Sequence, residues 1–169
     1  KAGSINNALR TQVRDYPFFA VIDADGVTPP HFLSRIMPYF AADPTIGFVQ
    51  GSQEPNPIQK TKFARDLAPG ILPLWTTYYP PRNKYGLVFF LGHGVVIRRQ
   101  AWERVGGFPE LSAEDLAFST KIREHGFQGW FTDDVKSYED FPESYRHLRS
   151  QQERYMKGGC EYLASGLLW

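Results

Sequence analysis

The chain has 169 residues, 42% of them hydrophobic and 22% charged, with a formal net charge of +1. That length suits one domain with a real buried core, and the balanced charge excludes a general electrostatic affinity for nucleic acid. The single cysteine, Cys160, excludes an intramolecular disulfide framework and a cysteine-rich zinc site.

The opening stretch KAGSINNALR predicts a short helix from Ser4 to Arg14, with Ser4 as N-cap and Ile5, Ala8 and Leu9 on one face. Phe18 to Ile22 is a continuous apolar run, as expected of a strand covered on both faces. It ends on Asp23 and Asp25, two carboxylates one residue apart. Such a pair costs free energy unless a positive charge sits between its members. Pro29 or Pro30 opens a helix that buries Phe32, Ile36 and Phe40, with Pro38 as a kink or terminator. IGFVQGSQ then reads as a second strand. Strand and helix in alternation indicate α/β architecture.

From Glu54 to Gly86 the pattern weakens, and a long loop with one short helix is expected. The aromatic run LPLWTTYYPP within it suits either an interfacial element or a surface loop with rings in the core. GLVFFLGHGVVIRR restores strand character, and QAWERVGGF reads as a short helix ended by Gly106 and Gly107. Ser112 is expected to cap the next helix, with Glu114 and Asp115 in its first turn and Leu116, Ser119 and Ile122 along one side. QGWFTDDVKSYED is a strand with a turn, and Glu143 to Leu163 is largely helical. No apolar run is long enough to cross a bilayer, and no signal peptide is visible.

Three groups carry chemistry. Asp23 and Asp25 fall at a strand's carboxyl end, where open α/β sheets bind ligands, and two carboxylates there suit Mg²⁺ or Mn²⁺. Glu114 and Asp115 are explained by helix capping, or one of them is a general base. Gln151, Arg154 and Tyr155 share one helical face and suit a phosphate and a flat sugar face.

Together with KAGSIN before the aspartates and FFLGH between them and the acidic pair, this ordered series resembles family 2 glycosyltransferases. The resemblance is strongest to the processive membrane polysaccharide synthases akin to cellulose, chitin and hyaluronan synthases, and it spans nearly the whole chain. It implies a GT-A-like, Rossmann-like mixed sheet flanked by helices. Residues 1–169 would be part of the catalytic domain, its amino-terminal strands and flanking transmembrane helices lying outside this chain.

Site residues follow from the same resemblance. Asp23 and Asp25 would hold the metal and the donor diphosphate, with Lys1, Gln151 and Arg154 also on the nucleotide sugar. Asp115 would be the catalytic base. Phe90, Gly92, His93, Glu114 and Tyr155 would lie on the acceptor side, with Phe89 nearby. Ala113, Tyr155 and His93 depart from the family pattern of threonine, tryptophan and a small hydroxyl residue.

The implied reaction is inverting, metal-dependent transfer from a UDP-sugar to a growing saccharide at the cytoplasmic face of a membrane, reached through segments outside this chain. The excerpt itself is expected to be soluble and inactive, with no nucleic-acid partner. Two alternatives stand beside it. VIDADGVT also fits a haloacid dehalogenase-type phosphohydrolase, with Asp23 as nucleophile, Asp25 as acid/base and Thr132 to Asp134 as a distal metal pair. The other is a non-catalytic module that binds a sugar nucleotide.

Overall fold

The computed structural model describes residues 1–13 and 15–166; the predicted end of the first helix at Arg14 lies outside them. A four-stranded mixed sheet carries the molecule, in the order β1 (Phe18–Val21), β3 (Val95–Arg98), β2 (Ile46–Pro55), β4 (Gln128–Glu139). β2 and β4 are parallel, whereas β3 runs antiparallel to both β1 and β2. The carboxyl ends of β1, β2 and β4 therefore meet the amino end of β3 at one end of the sheet.

Alternation along the strands sends side chains to two cores. Phe48, Val95 and Ile97 face a large cluster with Trp75, Tyr79, Phe90, Trp102, Phe108, Phe118 and Phe131. Val49 and Val96 face a smaller one. That smaller core is closed by α2 (Phe32–Ala42), whose Phe32, Ile36 and Phe40 are buried as the 3.6-residue period requires. Pro38 sits inside α2 without ending it. β1 is less covered than its apolar sequence predicts. It lies at the sheet edge with Ala20 exposed and only Val21 fully buried.

The first helix starts earlier than its sequence suggests. α1 spans Ala2–Thr11 with Lys1 as N-cap, so Ser4 lies within it, and its buried residues are Ala2, Asn6 and Leu9. Asn6 explains the rotation. Its Nδ2 donates to Phe108 O (2.9 Å), while its Oδ1 accepts from Phe108 N (2.8 Å) and Trp102 Nε1 (3.2 Å). Asn6→Ala would leave three buried groups without partners, and a loss of about 3 kcal/mol is expected. The denaturant midpoint of the full-length chain is the measurement, and an unchanged midpoint would refute it.

The region expected to be a loop is largely helical, in short pieces: α3 (Lys62–Leu67), a 3₁₀ turn (Ala68–Ile71), a π turn (Leu74–Tyr78) and α4 (Pro80–Asn83). Thr61 caps α3 by accepting from Ala64 N at 3.1 Å. Pro69, Pro80 and Pro81 sit at or near the first positions of their turns, where proline is tolerated, and break a longer helix into segments. Trp75 stacks on Phe131 at 5.8 Å and Tyr79 packs against the same ring, so the main aromatics of this run belong to the core. Asn83 then reads the outer edge of β4: its Nδ2 donates to Phe131 O and its Oδ1 accepts from Phe131 N, both at 2.8 Å.

α5 (Arg99–Val105) ends on Gly106 in the left-handed conformation. α6 (Glu114–Glu124) is capped by Ala113 rather than Ser112, whose N–H instead donates to Glu161 Oε2 (3.1 Å) on α7 (Tyr145–Ala164). Among the described residues no helix is long and apolar enough to cross a membrane.

Candidate functional site

The end of the sheet where β1, β2 and β4 finish collects the groups singled out by the sequence. After β1 the chain turns tightly, Gly26 N donating to Asp23 O at 3.0 Å. Val27 then pairs with Tyr138 through two backbone bonds of 2.9 and 2.8 Å, which fasten the turn to the end of β4. Asp23 is half-buried and Asp25 exposed. Lys1, at the start of α1, places Nζ 2.5 Å from Asp23 Oδ1 and 2.8 Å from Gly92 O. The chain thus sets its own positive charge against the first carboxylate.

Strand structure does not begin at Gly86 as the sequence suggests but at Val95. Gly92 (φ +85°) and Gly94 (φ +65°) take left-handed conformations that interrupt a ladder. The resulting turn, Gly92 to Gly94, is held from beneath by two glutamines of β2. Gln50 Nε2 donates to Gly51 O (3.0 Å), His93 O (3.0 Å) and Gly94 O (3.2 Å), and its Oε1 accepts from Leu91 N (3.1 Å). Gln53 Nε2 adds a bond to His93 O at 2.7 Å. At the turn's surface, a Cβ on Gly92 would lie 3.6 Å from Asp115 Oδ2 and 3.7 Å from Lys1 Nζ. Gly92 is therefore the spacer between the lysine and the second acidic group.

Asp115 lies in the first turn of α6. Burial pushes its carboxyl up to about 6, with the neighbouring Glu114 charge in support; a 2.7 Å hydrogen bond from Leu116 N to Oδ1 and the Lys1 charge oppose the rise. Ser119, one turn on, donates to Asp115 O (2.7 Å) and accepts from Phe90 N (2.7 Å), tying helix and loop together. Glu114 is buried beside it.

The remaining expected residues are placed less directly. Phe90 is 2% exposed and packs against Phe48, Phe108 and Phe118, so its ring faces the core and supports the loop from below. His93 is buried, and its Nε2 is 3.2 Å from Glu139 Oε2. Gln151, Arg154 and Tyr155 lie on α7, with Arg154 and Tyr155 exposed and the guanidinium 5.6 Å from the Tyr155 ring. Among the described residues no hydrogen bond joins these three to Asp23 or Asp115. They do share a helical stripe with Gly158 and Tyr162. A Cβ on Gly158 would meet Ala113 N at 3.3 Å, and Tyr162 OH bonds Thr120 Oγ1 at 2.7 Å, so this face of α7 docks beside the first turn of α6.

The donor set fits a hard divalent ion. Among the described residues no three His, Cys, Asp or Glu side chains form a cage, which leaves two carboxylates at a strand end. Mg²⁺ and Mn²⁺ are commonly held by one or two carboxylates together with substrate phosphates, and the contact with Lys1 shows that Asp23 receives a cation at this spot. The phosphohydrolase alternative finds no such support: Asp134 and Thr132 are both engaged by Tyr39 OH, at 2.7 and 2.9 Å.

Sequence reasoning missed Gln50, Ser119, Glu139 and the structural role of Asn6. A signal existed for Gln50, a large polar residue in the middle of the otherwise apolar FVQG run.

The family model described as "Glycosyl transferase family group 2" matches residues 18–169. A protein of Dictyostelium discoideum, named as a UDP-forming cellulose synthase of the catalytic type, is 29% identical over 171 residues, covering 95% of this chain and 16% of that protein. Putative cellulose synthase 2 of Komagataeibacter xylinus is 34% identical over 143 residues, covering 75% of this chain and 9% of its own length. The chain thus spans less than a fifth of these curated relatives. A mannosyltransferase of Pyrobaculum calidifontis, solved in complex with GDP-Man and Mn²⁺, aligns with a TM-score of 0.65 at 24% identity, over 98% of this chain and 44% of that one. That likeness is one of fold, the mixed GT-A-like sheet flanked by helices.

Proposed function

The chain belongs to the glycosyl transferase family group 2, and on that premise we propose that it serves inverting transfer of a sugar from a UDP-sugar to a growing saccharide. The observation that carries this reading is the meeting of Lys1, Asp23, Gly92 and Asp115 at one end of the sheet. The choice of UDP is supported by the name of the Dictyostelium relative, and a divalent metal by the ion bound in the mannosyltransferase.

Asp23 and Asp25 would hold Mg²⁺ or Mn²⁺ against the donor diphosphate. Such an ion, when bound, neutralises charge on the departing diphosphate. Lys1, Gln151 and Arg154 supply an ammonium, an amide and a planar guanidinium to the same phosphates. Asp115 accepts the proton of the acceptor hydroxyl as that oxygen attacks the anomeric carbon from the face opposite the diphosphate. The bond to the diphosphate breaks with its electron pair, so UDP leaves as an anion and no general acid is required. Gly92, His93, Glu114 and Tyr155 border the acceptor side. The acceptor and the cytoplasmic membrane setting of the whole protein are part of this proposal.

Calorimetry of UDP binding to the full-length protein tests it. Chelating the metal should weaken binding at least tenfold, about 1.4 kcal/mol, and Asp25→Ala should remove that dependence. Equal affinity with and without metal would overturn the metal assignment. Binding of UDP-sugar with no turnover on any acceptor would point to a non-catalytic module.

A further inference from the structure

Gln50 is fully buried in the middle of β2, a costly place for a carboxamide unless every polar atom is used. Here each one is. The single amide nitrogen reaches three carbonyls and the oxygen takes the Leu91 N–H, all within one strand and the adjoining loop. Gln50 therefore draws the carbonyls of His93 and Gly94 inward. Gly92 O, the preceding carbonyl, is left facing Lys1.

We propose that Gln50 is a positioning residue for sugar transfer: through the Gly92–Gly94 turn it sets the gap between the Lys1 ammonium and the Asp115 carboxylate. The proposal rests on the reading of Asp115 as base and of Lys1 as a donor contact. Gln50 acts through Gly92, which stands between those two groups. Ser119 fixes the same loop at Phe90 and the same helix at Asp115 O, so the turn is held at two points and its position is not free to adjust. A displacement of about 1 Å between reacting groups lowers rates by about 100-fold.

The test is a double-mutant cycle in the full-length enzyme with Gln50→Leu and Gly92→Ala. Gly92→Ala places a methyl in the same gap and strains a left-handed residue. Each single variant should lower kcat by about 10- to 100-fold, with the KM for UDP-sugar within about threefold. The double variant should lose clearly less than the product of the two, as expected when both act through one turn. Gln50→Glu, which keeps the acceptor for Leu91 but loses the donor, should follow Gln50→Leu.

Asn83→Leu removes a comparable pair of backbone bonds far from the turn and should lower the melting temperature with kcat intact. Additive losses across the cycle, or native kcat in both Gln50 variants, would overturn the proposal. So would loss of cooperative melting and UDP binding together in both, which would assign Gln50 to the core alone. If instead Asp115→Asn keeps full turnover, the assigned base is wrong and the positioning role falls with it. An inactive Asp115→Asn beside an additive cycle removes Gln50 alone.

Discussion

Asp115→Asn is expected to reduce sugar transfer by the full-length enzyme by roughly 10²- to 10⁴-fold, the range for loss of a general base, while UDP binding persists. The amide keeps an oxygen for Leu116 N–H but cannot accept a proton. The same change should raise the melting temperature. Because the folded-state pKa is raised to about 6 by burial, the folded protein binds a proton that the unfolded chain has already lost between about pH 4 and pH 6.

Stability therefore falls as pH rises through that window, and above it the ionised carboxylate costs on the order of 2 kcal/mol, which Asn escapes. Turnover should run the other way and fall as pH drops through about 6. Lower activity with higher stability separates a functional carboxylate from one kept for the helix dipole, whose loss would cost roughly 1 kcal/mol or less and leave activity alone. Glu114→Gln should show a smaller loss. Native turnover by Asp115→Asn, measured with radiolabelled UDP-sugar, would remove it from the mechanism.

Gly129→Ala should abolish the native fold. Gly129 pairs with Phe48 across β4 and β2, and a Cβ there would lie 2.2 Å from Phe48 Cζ and 2.8 Å from Val88 O. The ring cannot yield, since it is fully buried against Phe90 and Phe118. Overpacking against a fixed ring and a backbone carbonyl is expected to cost about 4 kcal/mol or more, most of the margin of an ordinary domain. Phe48→Leu in the same chain should recover part of it. Gly159→Ala, in α7 with nothing within 4 Å of the added methyl, should be neutral or gain up to about 1 kcal/mol. Soluble yield and denaturant midpoint decide. A Gly129→Ala protein as stable as the parent would show that the strands can part at this crossing.

What the sequence disclosed follows from how local each determinant is. Phe32, Ile36 and Phe40 repeat at the helical period, so the buried face of α2 was readable, as was the strand Ile46–Pro55 from its apolar run. Family motifs disclosed Lys1, Asp23, Gly92 and Asp115 as one group, and these four do converge. Gln50 escaped because its role lies in a loop more than forty residues away. The start of β3 was misjudged because glycine carries no mark of the sign of φ in a sequence, and Gly92 and Gly94 both fall in the left-handed region. Ser4 and Ser112 look like caps, yet the helix starts were decided by longer-range partners, Asn6 with Phe108 and Ser112 N with Glu161. Prolines between Pro69 and Pro81 read as breakers of structure and act instead as starters of short turns.

The clasp of Asn83 on Phe131 has a bearing on how copies of this domain meet one another. A foreign strand approaching β4 would have to evict a side chain that already satisfies both backbone groups of Phe131, gaining nothing for the exchange at that residue. β1, the strand at the opposite margin, has no such stopper among the described residues. Recruitment of an extra strand is thus directed to one side of the molecule, and protective charges or prolines introduced by design belong on Phe18–Val21 rather than on Gln128–Glu139.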